Sequence, residues 1–238
     1  MVWLVWAYTT WVTNWLDPEQ MAVRLLLGGV VGFATPGLGR SRTSDWTIEG
    51  GHFAERCQAF ILIALGESIV IIGATLTEKP VSASDVAAFV VGFIGAVALW
   101  WLYFDQSAEA AAEKIARSDD PGRLGRSAYH LIHPVMVAGI IVSAAADQKV
   151  LSDPAVTAST ASAWMILGGP ALFLAGHAAF KMAVWHYVSW PRVAGMAVLA
   201  LLGLAAKAIP ELGLAACAAG VVVAVAATDR LPGLHPPR

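Results

Sequence analysis

The chain alternates long apolar runs with short stretches of proline, glycine and charge. A helix rises 1.5 Å per residue, so a run of about 20 apolar residues matches one hydrocarbon core. On that basis helices are expected near 1–16, 22–35, 57–76, 86–104, 128–147, 161–180, 193–209 and 211–228. The second is the weakest: it is short, carries Arg24 and the Gly28-Gly29 pair, and stops at Pro36. It fits a re-entrant piece as well as a span. The expected fold class is therefore all-α, a polytopic transmembrane bundle of 7–8 helices forming one domain over 1–238. The connection 105–127 opens with an Ala- and Glu-rich stretch that predicts a helix on the membrane surface, stopped at Asp119-Asp120-Pro121-Gly122.

One carboxylate interrupts this pattern. Glu67 falls near the middle of the run 57–76. An ionised group at that depth costs at least about 2.5 kcal/mol, so it needs a partner, water or a proton. At about 100° per residue, His52, Arg56 and Glu67 lie within about 60° of one another on one helix face. Arg56 and Glu67 are nevertheless about 16 Å apart along the axis and cannot pair. A group on another helix must face Glu67.

Loop charge supplies the orientation. Ten basic residues follow the even-numbered helices: Arg40, Arg42, Lys114, Arg117, Arg123, Arg126, Lys181, Arg192, Arg230 and Arg238. Three follow the odd-numbered ones: Lys79, Lys149 and Lys207. The positive-inside rule then places 36–51, 105–127, 181–192 and the C-terminus in the cytoplasm. Glu55, Arg56, Asp105, His130, His133, His177 and Lys181 are brought to one depth by this topology. They predict a polar cup open to the cytoplasm with Glu67 at its floor. His186, beside Tyr187 and Trp190, is expected at the interface.

Composition narrows the classes. The chain is 58% hydrophobic and 13% charged, with a mean hydropathy of +0.65, against about 25% charged residues in a soluble domain. The bilayer is the main partner. A net charge of −2 with no basic run gives no support for nucleic acid. Cys57 and Cys217 lie in apolar segments and are expected to be inert core thiols. Residues 1–16 lack a basic start and a small-residue cleavage site, so a membrane segment is expected there, not a signal peptide. Ala215, Ala219 and Gly220 form a small-residue set of the kind that lets helices approach closely.

The segment His52-Phe53-x-Glu55-Arg56, followed by Leu65-Gly66-Glu67-Ser68, resembles the bacterial low temperature requirement A (LtrA) family of integral membrane proteins. Trp11-Val12-Thr13-Asn14-Trp15, Thr35-Pro36-Gly37-Leu38-Gly39-Arg40-Ser41, Asp119-Asp120-Pro121-Gly122-Arg123 and Gly168-Gly169-Pro170 extend the resemblance over most of the chain. The resemblance implies a membrane protein involved in growth at low temperature. It also implies an acidic opening helix and several further helices before the His-Glu-Arg segment, which this chain does not carry. The chain is thus expected to be an N-terminally truncated and internally shortened relative, with 22–35 as the junction.

Three functions are compatible with these residues. The first is a proton-linked transporter of a small solute or ion. In it Glu67 is the titrating midplane group, and Arg56, His52, Glu55, His133 and His177 tune it or relay protons. Asp105, His130 and Lys181 are secondary members. The second is a membrane-embedded metal-dependent enzyme using His130, His133 and His177 with Glu67 or Asp105, although no metal-binding signature supports it. The third is a non-catalytic scaffold or sensor, whose polar cup would be closed by ion pairs. No catalytic residue, resident metal or cofactor is predicted.

Overall fold

The computed structural model describes residues 50–77, 80–105 and 107–229, the side chains of residues 50–53 and 130 excepted. These fall within one compact unit, Thr47–Arg238. The expected helices at 1–16 and 22–35 lie outside the described residues.

Seven helices follow one another: α1 (Gly50–Thr77), α2 (Ala83–Phe104), α3 (Ala108–Ala116), α4 (Pro121–Ser152), α5 (Thr160–Trp185), α6 (Trp190–Ala205) and α7 (Glu211–Thr228). All but α3 are long and apolar enough to cross a membrane, α6 together with the 3-10 turn that carries it on to Ala208. These six correspond to the six runs expected from 57–76 onward, most of them extended by a few residues. Among the described residues the count is therefore six spans, against seven or eight expected for the whole chain. No strand occurs among them; an isolated bridge joins Thr157 to Pro210.

Local signals explain the boundaries. Ser82 and Asp85 form a reciprocal capping box at the start of α2. Ser159 caps α5 by accepting from the Ser162 N–H. Asp120 accepts from the Arg123 N–H at 2.9 Å, and Pro121 occupies the first turn of α4. The Asp-Pro pair read as a stop is thus also a start, because proline at the first helical position gives up a donor that had no partner there. The surface helix expected in 105–127 is α3. It does not lie free: Ala108, Ala111 and Ile115 are buried, and Gln58 Nε2 of α1 donates to the Ala108 carbonyl at 3.0 Å.

The outward faces are apolar. Trp164 is 75% exposed and Leu204 85%, values that a lipid solvent explains and water does not. The interior is held by close backbone approach. A Cβ on Gly139 of α4 would lie 2.6 Å from the Phe173 nitrogen of α5, and one on Gly169 of α5 2.7 Å from the Ser143 nitrogen. A Cβ on Gly176 would meet Met136 Cγ at 2.8 Å. This glycine seam, not the Ala215-Ala219-Gly220 set, makes the tightest contacts; Gly220 meets nothing within 4 Å. Cys217 is exposed on the outer face of α7, contrary to its expected place in the core, while Cys57 is partly buried.

Between its first turn and His133, α4 widens into a π-helix over Gly125–Ile132. The His133 N–H bonds to the Ala128 carbonyl, five residues back. Pro134 follows directly. A proline ring collides with the carbonyl four residues before it in an α-helix, and a wider turn relieves that collision.

The helices run alternately up and down. Residues 50–58, 103–133, 177–192 and 229 occupy one end of the bundle, called here the proximal end. Residues 77–83, 147–160 and 205–211 occupy the distal end. There the Glu211 N–H donates to the Val156 carbonyl at 2.8 Å and the Ala158 N–H to the Ile209 carbonyl at 3.2 Å, joining two connections by main-chain bonds.

Candidate functional site

The buried stripe of α1 is Ala54, Ile61, Leu65, Ser68, Ile72 and Thr75. Glu67 and Arg56 point about 120–140° away from the centre of that stripe. Both are exposed at the outside of the described bundle, as are Glu55 and Asp105. Among the described residues Glu67 makes no hydrogen bond or ion pair. The side chains of His52 and His130 lie outside the described residues.

A different set of polar groups converges at the proximal end. His177 and Lys181, one turn apart on α5, are 0% and 1% exposed. Beyond them α5 ends at His186, whose φ of 54° is left-handed. That conformation stops the helix and turns the chain back within a short link. Ser189 then leads into Trp190-Pro191, and Arg192 falls in the first turn of α6, directed inward and fully buried. Asp229 follows the last residue of α7. Ser107 joins α2 to α3.

These groups form one network. Arg192 Nη1 donates to Asp229 Oδ1 at 2.9 Å and to Ser189 Oγ at 2.8 Å, while Nη2 donates to Asp229 Oδ2. Arg192 Nε donates to His177 Nδ1 at 3.3 Å, and His177 Nε2 lies 3.0 Å from Ser107 Oγ. A guanidinium can only donate, so Nδ1 accepts; in the neutral ring the hydrogen sits on Nε2 and points to Ser107. Lys181 Nζ lies 3.5 Å from Asp229 Oδ2. Formally, two buried cations share one carboxylate. Burial alone would push the Asp229 carboxyl up, but hydrogen bonds and charge from Arg192, helped by Lys181, hold it below the usual carboxylate value.

His133 occupies the adjoining space. Its Nε2 donates to the Cys57 carbonyl at 2.9 Å, and its Nδ1 is buried with no hydrogen-bond partner among the described residues. The Tyr103 ring stands between the two histidines, with centroids 5.4 Å from His133 and 6.1 Å from His177. Tyr129, in the π segment, packs 5.3 Å from His133. Of the residues singled out from sequence, His133, His177 and Lys181 are brought together. Glu67, Arg56, Glu55 and Asp105 are not part of that cluster.

Arg192, Asp229, Ser107, Ser189 and Tyr103 escaped the sequence reading. In the sequence pattern Arg192 falls among the loop charges, before the expected helix start at 193. The Ser189-Trp190-Pro191 helix start was the available signal that it lies inside a helix, in the first turn. Lys181 likewise falls among the loop charges, after the expected helix end at 180. Both are buried, so eight of the ten basic residues remain as candidate loop charges against three on the opposite side. The sign of the bias is unchanged.

No group of three or more His, Cys, Asp or Glu side chains is arranged to hold a metal among the described residues. Both ring nitrogens of His177 are already engaged, by Ser107 and Arg192.

Comparison with known proteins places this architecture. The chain is 29% identical over 205 residues to the uncharacterized protein RA0937 of Rhizobium meliloti (strain 1021), an alignment covering 83% of this chain and 50% of that protein. The chain thus spans about half the length of the curated relative it matches. No solved structure matches it. The family model of the bacterial low temperature requirement A protein matches residues 28–227. An all-α bundle of membrane-spanning length and a match over most of the sequence agree: the chain belongs to the bacterial low temperature requirement A (LtrA) family.

Proposed function

We propose that this protein moves a small solute or ion across the bacterial inner membrane, coupled to a proton. The proximal network would be its charge-handling part, and Glu67 a second titrating group at mid-depth. In this reading the proximal end and the C-terminus face the cytoplasm. One observation carries it: His177, Lys181, Arg192 and Asp229 are all buried at one end of an apolar bundle. Taking an ion out of water costs several kcal/mol even after relaxation. Ionisable side chains inside membrane segments mark ion pathways and proton relays more often than they serve packing.

Proteoliposomes carrying a pH-sensitive dye test this. Under imposed gradients of sodium, potassium, chloride or phosphate, the protein should change the internal pH several-fold faster than empty vesicles. His177→Gln and Glu67→Gln should each slow that change. Wild-type protein that moves no protons under any of these gradients overturns the transport reading. Normal flux in Glu67→Gln removes Glu67 from it.

A scaffold or sensor role has one observation in its favour. The two-cation network is closed by direct pairs to Asp229, which is what a non-transporting cup would do. For the metal-dependent enzyme, the described histidines His133 and His177 are held by other partners, the Cys57 carbonyl for one and Ser107 and Arg192 for the other.

A further inference from the structure

A second polar feature lies inside the bundle, away from the proximal network. A small cavity of about 40 Å³ opens between α1, α2, α4, α5 and α7. That is room for about two or three water molecules. Its walls are apolar except for Asp147 and Ser143 of α4 and Ser68 of α1. Asp147 is the only ionisable residue among those lining it. Its carboxyl group rests on Gly92 of α2, where a Cβ would come within 3.1 Å of Asp147 Cγ.

The hydrogen-bond inventory of the cavity is one-sided. Ser143 Oγ donates to the Gly139 carbonyl at 2.9 Å, and Ser68 Oγ to the Ala64 carbonyl at 2.8 Å. Both hydroxyl hydrogens are therefore spent within their own helices, and lone pairs remain for the cavity. The carboxylate adds two more acceptor oxygens. Among the described residues Asp147 makes no hydrogen bond or ion pair. Of the other charged groups described at the distal end, none lines the cavity. Glu211 faces Lys149 at 3.8 Å, and Asp85 caps α2. A wall of acceptors around an uncompensated carboxylate repels anions and fits a cation.

We propose that this cavity is a binding site for one exchangeable monovalent cation, a proton or a sodium ion, held by Asp147 with the Ser143 and Ser68 hydroxyls and cavity water. The site rests on the cavity and not on the transport reading, since a protein that moves nothing would still bind the cation. Its test is accordingly one of equilibrium binding and not of flux.

The experiment uses the purified full chain in detergent, with sodium replaced by N-methylglucamine at neutral pH. If the occupant is a proton, the infrared spectrum contains a protonated carboxylic-acid carbonyl band that disappears in Asp147→Asn. If it is sodium, that band is absent, and adding sodium raises the melting temperature in a saturable way that choline does not reproduce and Asp147→Asn abolishes. An Asp147 that is ionised in the absence of sodium and shows no sodium response overturns the site. So does either signature persisting in Asp147→Asn. Should Asp147→Asn fail to fold, the Ser68→Ala and Ser143→Ala double variant decides: it keeps the carboxylate. A shifted carbonyl band or a several-fold weaker sodium response supports the site, and no change in either overturns it.

Discussion

Arg192 and Asp229 show how much a single side chain carries here. Their bidentate pair is buried, joins α6 to the end of α7, and is extended by Lys181 and His177. Removing one partner of such a pair leaves an unpaired charge and costs about 3–5 kcal/mol, whereas replacing both by apolar groups of similar size is far milder. Arg192→Met should therefore lower the melting temperature in detergent much more than the Arg192→Met, Asp229→Leu double variant, and a double-mutant cycle measures the coupling. The pair also sets a pH dependence. The folded-state value of Asp229 lies below its ordinary value of about 3.9. Its contribution is thus fully present above about pH 4–5 and is lost as pH falls through the lower folded value. Asp229→Asn should remove that acid-side loss in a melting curve taken across pH. Neither residue was evident from the sequence, since a charge directly after a proline and one at a helix end look the same whether they face water or turn inward. His177 and Lys181 were legible as polar groups at one depth because both fall where the same long apolar run closes, Lys181 just past its expected end at 180. Glu67 was equally visible, but its energetic cost says only that it needs company, not which way it points. The direction came from the stripe Ala54, Ile61, Leu65, Ser68, Ile72, Thr75, whose small and polar members hide its period.

At the scale of elements, the apolar runs mark the spans well because lipid demands internally satisfied backbones, and a long apolar helix meets that demand. Which helix faces which was not legible. It depends on glycine positions whose neighbours are distant in sequence, such as Gly139 against Phe173 and Gly169 against Ser143. These positions make a sharp comparison. Gly139→Ala forces a methyl into backbone atoms at 2.6 Å and should destabilise by about 1–3 kcal/mol. Gly168→Ala, one residue from the seam, meets nothing within 4 Å and should be neutral or gain up to about 1 kcal/mol from helix propensity. Unfolding in mixed micelles with increasing denaturant gives both values.

For the whole molecule, the six spans among the described residues and a retained excess of basic residues on one side make the two ends chemically distinct. With Cys57 and Cys217 replaced by serine, Glu109→Cys on α3 and Asp153→Cys at the distal end should react with a membrane-impermeant maleimide from opposite sides. Asp153→Cys should label in intact spheroplasts, and Glu109→Cys only after permeabilisation; the reverse pattern would invert the topology. The π segment of α4 adds a consequence for chain length. A helix bonded five residues back holds about 4.4 residues per turn. Eight such residues, Gly125–Ile132, turn the chain about 45° less than seven at about 100° each. A one-residue deletion there would turn the flanking faces by about 45° against each other, while elsewhere in a span it would swing one part of the helix by about 100° against the rest. Among the described spans this is the stretch where a one-residue deletion re-aims the bundle least, and it is the stretch that holds Tyr129 and leads into His133.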